Sequence, residues 1–136
     1  MEKLHLEIVT PAQIAVRADV DIVVAPGSMG EFGVLKGHAR FLSGIAPGEL
    51  RYTVDNKTEY LAVSSGFAEV SDDRVSILVD AAERAVDIDI ERAKKAMERA
   101  SERLAKERGK EDLDFIRAEA ALKRAMMRIK VAQKKS

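Results

Sequence analysis

Five arginines in the last third of the chain share one flank of a predicted pair of helices. In a heptad scheme whose a and d positions form the contact between the helices, three of them fall at position c and two at position g. The g edges of two antiparallel helices lie on the same side, with the c positions just behind them. A guanidinium group offers a planar fork of donors that matches two oxygens of a phosphate. This arginine flank therefore suggests a site for an anion such as a polyphosphate; its members are Arg92, Arg99, Arg103, Arg124 and Arg128.

The same flank also has a simpler interpretation. Charged residues on helices are usually solvated and form ion pairs with residues three or four positions away. The chain has no glycine-rich phosphate loop of the Walker type, so phosphate binding would depend on side chains. From the pattern of charges, both interpretations remain open.

The helices that carry these arginines are predicted by the period of the apolar residues after Asp87. From Asp87 to Lys135 there is no proline and one glycine, and alanine, glutamate, lysine and arginine dominate. These are strong helix formers. We expect Asp87 to cap the first helix and Gly109 to lie in the loop between the two helices.

The apolar residues also predict how the two helices pair. They are spaced alternately by three and four, and opposite members of an antiparallel pair have index sums of 218 or 219 throughout. Because this seam is rich in alanine, it buries little area, and at about 25 cal/mol per Å² the hairpin is marginal without other support. We expect a hairpin that can open. The seam residues are Ile90, Ala93, Met97, Ala100 and Leu104, facing Phe115, Ala118, Leu122, Ala125 and Ile129.

The first part of the chain has a different period. Apolar residues alternate with polar ones in several short runs, which is typical of strands with one buried face. Turn-forming residues separate the runs, as at Pro47-Gly48 and Asp55-Asn56. The sequence therefore predicts an antiparallel β-sandwich or barrel in residues 1–84 and a helical hairpin in residues 85–136. The alternating residues are Leu4, Leu6 and Ile8; Val20, Ile22 and Val24; Leu50, Tyr52 and Val54; and Val75, Ile77 and Val79.

Composition and charge exclude several classes of site. Among the 136 residues there is no cysteine, and two histidines are too few for a histidine-rich metal site, so we expect no metal. No apolar run approaches the roughly 20 residues of a membrane-spanning helix, and the start is unlike a signal peptide. We therefore expect a soluble chain without direct membrane insertion. The net charge is −5 for residues 1–84 and +5 for residues 85–136, which indicates two parts with different partners.

Three further functions fit parts of this pattern. An adaptor with a sandwich and a helical arm would explain the two periods. A nucleic-acid-binding module would use the basic helices, but a net charge of zero and few aromatic residues disfavour it. An enzyme is disfavoured because no nucleophile–base pair or carboxylate dyad stands out, and Glu31 and His38 are separated by seven positions in a glycine-rich segment.

Several segments resemble the epsilon subunits of F-type ATP synthases. Residues 26–39, PGSMGEFGVLKGHA, are similar to the family segment PGxxGEFGVLPGHA, and residues 64–70, SSGFAEV, resemble its SGGFxEV strand. Residues 81–85, AAERA, are similar to the family's junction between sandwich and hairpin. Lys36 and Arg40 stand where the family usually has proline, which adds two positive charges to this region.

The resemblance implies a non-catalytic rotor subunit on the cytoplasmic face of a bacterial membrane. Such subunits bind the gamma subunit and the polar loops of the c-ring, and they couple proton flow to ATP synthesis. It implies that these contacts lie at Glu31, Phe32, Gly33, Val34 and His38.

The resemblance also extends to regulation by ATP. Residues 88–93, IDIERA, match the ATP-binding motif I(L)DxxRA of many bacterial epsilon subunits. The resemblance implies that a compact hairpin binds ATP as a regulatory ligand, and it leaves the Mg²⁺ requirement open. It also implies that an extended hairpin would inhibit ATP hydrolysis and meet an acidic loop of the beta subunit. Since the implied phosphate ligands fall on the arginine flank, we favour a nucleotide site over a solvated face. The implied ATP-binding residues are Glu83, Ile88, Asp89, Arg92, Arg99, Arg124 and Arg128.

Overall fold

The computed structural model describes residues 3–106 and 113–134, except for the side chain of Leu113. Ten strands in this part of the chain precede a short 3₁₀ turn, Ala85–Asp87, and the two helices α1 (Ile90–Lys106) and α2 (Leu113–Ala132). The strands are β1 (Leu4–Val9), β2 (Ile14–Val20), β3 (Ile22–Gly27), β4 (Gly30–Leu35), β5 (Phe41–Ile45), β6 (Gly48–Val54), β7 (Lys57–Val63), β8 (Gly66–Ser71), β9 (Arg74–Val79) and β10 (Ala82–Arg84).

The strands form one sheet that folds over on itself. Their order is β10-β7-β6-β3-β5-β8-β9-β1-β2, and β4 pairs with β3 beside this path. The pairs are antiparallel except for β1 with β9. Because β2, at one end of the order, lies against β6 and β10 near the other end, the sheet is a nearly closed sandwich. The predicted fold class, an antiparallel β-sandwich or barrel followed by a helical hairpin, is confirmed.

The alternation predicted the buried face correctly in most strands and wrongly in one. Leu6, Leu50 and Ile77 are buried as expected. At Asp21 the chain turns between β2 and β3, so that Val23 is buried while Ile22 and Val24 are only half-buried. The Asp21 carboxylate accepts hydrogen bonds from Lys3 Nζ and the Asp55 amide, which fixes this corner and reverses the phase of the alternation.

The first helix begins later than expected. Residues 85–87 form the 3₁₀ turn and Ile88 is extended and buried, so Asp87 cannot act as the cap. Instead the Asp89 carboxylate accepts a hydrogen bond from the Arg92 amide at 3.1 Å. This is the position and geometry of an N-cap, and α1 starts at the next residue.

The seam of the hairpin is confirmed, and its register is offset. Four alanines of the seam are fully buried and the larger seam residues are half-buried. Residues 96–103 of α1 and residues 121–128 of α2 line one groove on the arginine side, which places the helices about five residues, or one and a half turns, beyond the predicted pairing. An alanine seam has few projecting side chains to oppose such a shift. The predicted loop residue Gly109 lies outside the described residues.

The end of α2 is docked on the sandwich. Val131 and Ala132 are buried in a small cluster with Ala62 of β7, Ala85 and Ile88, which we call the docking cluster. This contact lies beyond the predicted seam, which stopped at Ile129. Because it holds the end of α2, it provides a physical reason for the offset register of the hairpin.

Candidate functional site

A groove on one side of the hairpin brings four arginines together. The groove has a volume of about 330 Å³ and lies between α1 and α2. Arg99 and Arg103 line it from α1, and Arg124 and Arg128 line it from α2. Its other lining residues are the alanines Ala96, Ala100, Ala121 and Ala125, whose small side chains leave the space open.

The groove is strongly positive. Guanidinium groups stay protonated in proteins, so its lining carries four positive charges. No carboxylate is among the described residues that line it. Such a cluster costs free energy through repulsion unless an anion is near. Chemically, this arrangement can bind the oxygens of a phosphate chain through charge-assisted hydrogen bonds.

One arginine of the groove is paired with the sandwich. Arg128 donates from Nε to Glu83 Oε1 at 2.6 Å and from an Nη to Glu83 Oε2 at 3.0 Å. This two-bond geometry holds the guanidinium plane in one orientation. A narrow crevice lined by Pro47, Glu83 and Met127 continues from Arg124 and Arg128 towards the sheet edge.

The predicted ATP-binding residues are brought together only in part. Arg99, Arg124 and Arg128 line the groove, and Glu83 contacts it through Arg128. Ile88 is 1% exposed within the docking cluster, and Asp89 caps α1.

The remaining predicted ligand lies just outside the groove. Arg92 precedes Ala96 by one helical turn and is not among the groove-lining residues. Arg103, by contrast, lines the groove although the ATP-binding motif does not imply it. Its heptad position was the signal that identified it.

The predicted rotor-contact residues are spread along β4 and just beyond it, and they do not form one compact patch. Glu31 is paired with Pro26 near the turn between β3 and β4, while His38 lies beyond the far end of β4. Val34 is 0% exposed, so its side chain belongs to the core and cannot itself contact a partner. Phe32 packs edge-on against Phe41, with ring centroids 5.1 Å apart.

The exposed polar members of this segment have local partners. Glu31 accepts from both terminal nitrogens of Arg51, at 3.3 and 3.4 Å. The His38 ring lies 2.6 Å from the carbonyl oxygen of Ala39 through Nδ1, and it packs edge-on against Phe41. Both side chains are held in place at the surface, where a partner can reach them.

The sandwich has a second exposed surface, which is apolar and which the strand pattern did not identify. Four residues occupy one row across four strands, because Phe67 pairs with Leu78, Leu78 with Val9 and Val9 with Ile14. Phe67, Leu78 and Ile14 are 65%, 55% and 48% exposed. Contiguous exposed apolar patches are typical of interaction surfaces. We call these four residues the apolar row. Large apolar residues at outward positions of the alternating strands were the feature of the sequence that could have identified it.

Two further classes of site are absent from the described ranges. Within 3–106 and 113–134, no group of three histidine, aspartate or glutamate side chains is placed to hold a metal ion. None of the helices described is both long and apolar enough to cross a bilayer.

Family models match nearly the whole chain. Residues 3–85 match the beta-sandwich domain of the family described as ATP synthase, Delta/Epsilon chain, and residues 87–133 match its long alpha-helix domain. Together the two matches cover the sandwich and the hairpin.

Curated relatives and solved structures are similar over most of their lengths. The chain is 55% identical to the ATP synthase epsilon chain of Nitratidesulfovibrio vulgaris, over 96% of this chain and 97% of the relative. It is 53% identical to that of Syntrophobacter fumaroxidans, over 98% of each.

A chain in the cryo-EM structure of Euglena gracilis mitochondrial ATP synthase, OSCP/F1/c-ring, is 29% identical. It superposes with a TM-score of 0.77, over 90% of this chain and 76% of that one. A chain of the Tetrahymena thermophila mitochondrial enzyme, at 16% identity and a TM-score of 0.57 over 98% of this chain and 96% of that one, shares the fold.

Proposed function

Since the chain belongs to the Delta/Epsilon family of ATP synthase subunits, as an epsilon chain of the bacterial type, we propose that it is a rotor subunit whose hairpin reports the ATP level. Epsilon chains are non-catalytic stalk subunits. The sandwich would bind the gamma subunit and the c-ring at the cytoplasmic face of the membrane. The hairpin would inhibit ATP hydrolysis when it is extended.

The sandwich offers two surfaces for the stalk. The apolar row supplies exposed apolar surface for the centre of an interface, and we assign it to the gamma subunit. The segment with Glu31, Phe32, Gly33 and His38 supplies polar contacts to gamma and to the c-ring loops, with Val34 as its buried support. The turn between β3 and β4 exposes Met29 to 96%, which makes it accessible to the c-ring.

The observation that carries the ATP proposal is the groove of four arginines over an alanine floor. We assign the phosphates of ATP to Arg99, Arg103, Arg124 and Arg128, with Arg92 reaching in from the preceding turn. Glu83, Ile88 and Asp89 would lie by the adenine, as the motif implies. Because Ile88 is buried and Asp89 caps α1, they would form the wall of the base site mainly through their backbone and exposed edges.

ATP would act by stabilising the compact hairpin. A ligand that binds one state stabilises it by RT ln(1 + [L]/Kd), about 2.7 kcal/mol at a concentration of 100 Kd. This is enough to shift the equilibrium between the docked and the released hairpin by about a hundredfold. Without ATP the hairpin would be released from the sandwich more easily, and its net charge of +5 would then favour extension towards the acidic loop of the beta subunit.

Calorimetric titration of the intact chain with ATP, with and without Mg²⁺, tests the proposal. We expect saturable binding that Arg124→Ala weakens by about 10- to 100-fold, because a charge-assisted hydrogen bond is lost. Arg117→Ala is the matched control, since it removes an exposed arginine of α2 that does not line the groove. No binding at millimolar ATP, or equal losses in both variants, would contradict the nucleotide site.

A further inference from the structure

Two cations near the end of α2 meet carboxylates of the sandwich. Arg128 forms its two-bond pair with Glu83 of β10. Lys134, two residues beyond the end of α2, forms an ion pair with Glu49 of β6 and lies over the ring of Tyr60, 5.1 Å from its centroid. Both links therefore join the hairpin to the sheet, at two separate points.

The two carboxylates occupy one row of the sheet. Glu83 and Glu49 are both register partners of Ala62, from opposite sides of β7. Neighbouring strands lie about 4.8 Å apart, so the two residues are about 10 Å apart across the row. Arg128 and Lys134 are six residues apart, in a segment that is helical to Ala132 and then ends in a turn, so they lie about 9 Å apart along the helix direction. The spacing of the cations therefore matches the spacing of the carboxylates.

The apolar contact lies between these two ion pairs. Ala62, the centre of the row, packs in the cluster that contains Val131 and Ala132. These side chains are small, so the contact buries little area and contributes modestly to docking. The four charged side chains are 17–39% exposed, so the pairs are only partly screened by water.

We propose that Glu49 and Glu83 form a two-point ionic clamp that docks the hairpin on the sandwich when no nucleotide is bound. The clamp uses the opposite net charges of the two parts, −5 and +5, where the end of α2 meets the sheet. It makes release of the hairpin sensitive to ionic strength. Only its Arg128–Glu83 pair overlaps the proposed ATP site; the Lys134–Glu49 pair lies outside the groove.

Pulsed electron paramagnetic resonance on the full chain without nucleotide can test the clamp. Because the chain has no cysteine, Ser65→Cys on the sandwich and Ser101→Cys on α1, both exposed, accept nitroxide labels specifically. We expect the Glu49→Gln/Glu83→Gln variant to increase the long-distance, released population about tenfold at low salt. In the parent chain the same population should increase as salt is raised to about 1 M, where the Debye length falls to about 3 Å.

The matched control is Glu7→Gln/Glu59→Gln, which makes the same change in net charge. Both of these carboxylates pair within the sandwich, with Arg17 and Lys57. We expect the control to keep the parent's distances and salt response. Identical distances and salt responses in the clamp and control variants would overturn the proposal.

A charge exchange provides a second test. Glu49→Lys should release the hairpin, and adding Lys134→Glu should restore docking; failure to restore it would count against the Lys134–Glu49 pair. A chain that binds no ATP but shows the expected salt-dependent release would support the clamp and overturn only the nucleotide proposal.

Discussion

The sandwich and the hairpin are built from side chains of different sizes. Fully enclosed positions of the sandwich hold large residues such as Leu50, Leu61 and Ile77, whereas those of the helix seam hold alanines. Burying a leucine or isoleucine contributes about 1.5–3 kcal/mol, and an alanine contributes much less. The sandwich can therefore be stable by itself, while the hairpin depends on its docking contacts and ion pairs.

This difference suits the two proposed roles. A part that stays attached to a stalk during rotation needs a closed core. A part that changes state must have a small free energy of opening, which small seam residues and partly exposed ion pairs provide. The comparison between the two parts can be tested by four sets of variants.

The largest expected effect is in the core of the sandwich. Leu61→Ala should lower the free energy of unfolding by about 3 kcal/mol, because it leaves a cavity around a residue that is 0% exposed. Leu122→Ala in the half-buried seam should cost about 1 kcal/mol. Urea unfolding of both variants measures the difference. Equal losses would show that the hairpin seam is as important to stability as the core.

The apolar row should matter for assembly and not for folding. Phe67→Ser/Leu78→Ser should weaken binding to the gamma subunit by about 30-fold, or about 2 kcal/mol, and change unfolding by less than about 0.5 kcal/mol. Ile116→Ser/Met126→Ser is the matched control, because it removes two exposed apolar residues of α2. Equal loss of gamma binding in both variants would contradict the assignment of the row.

Arg92 tests the edge of the proposed ATP site. We expect Arg92→Ala to weaken ATP binding about fivefold, or about 1 kcal/mol, which is less than the loss expected for Arg124→Ala, since Arg92 lies one turn outside the groove. Calorimetry on both variants measures the order. A larger loss for Arg92 would mean that bound ATP lies nearer the start of α1 than the groove indicates.

The smallest expected effect concerns the corner at Asp21. Its hydrogen bonds with Lys3 and the Asp55 amide lower the pKa of this carboxyl below its usual value of 3.8. A lowered folded-state pKa adds stability above the unfolded pKa, and this stability is lost as the pH falls through the folded pKa. Asp21→Asn should therefore destabilise the chain at pH 7 and have less effect at a pH below the usual value of 3.8. Urea midpoints that differ equally at both pH values would contradict this account.

The sequence by itself determined the features that depend on local period. Alternation at Leu4–Ile8 and at Val75–Val79 predicted strands, and spacings of three and four predicted two helices and their alanine seam. The convergence of Arg99, Arg103, Arg124 and Arg128 also followed from the heptad pattern, because positions on a helix face are set by the geometry of the backbone. The family resemblance added the proposed partners and the proposed ligand.

Only the tertiary structure decided what depends on contacts between distant segments. The turn at Asp21 reversed the phase of β3, because its carboxylate is held by residues from two other parts of the chain. Asp89 and not Asp87 caps α1, because Ile88 is drawn into the docking cluster. Glu83 meets Arg128 across 45 positions of sequence, and Val131 and Ala132 dock the end of α2 on the sandwich. Periodicity is a property of one segment, whereas these choices follow from which surfaces pack together.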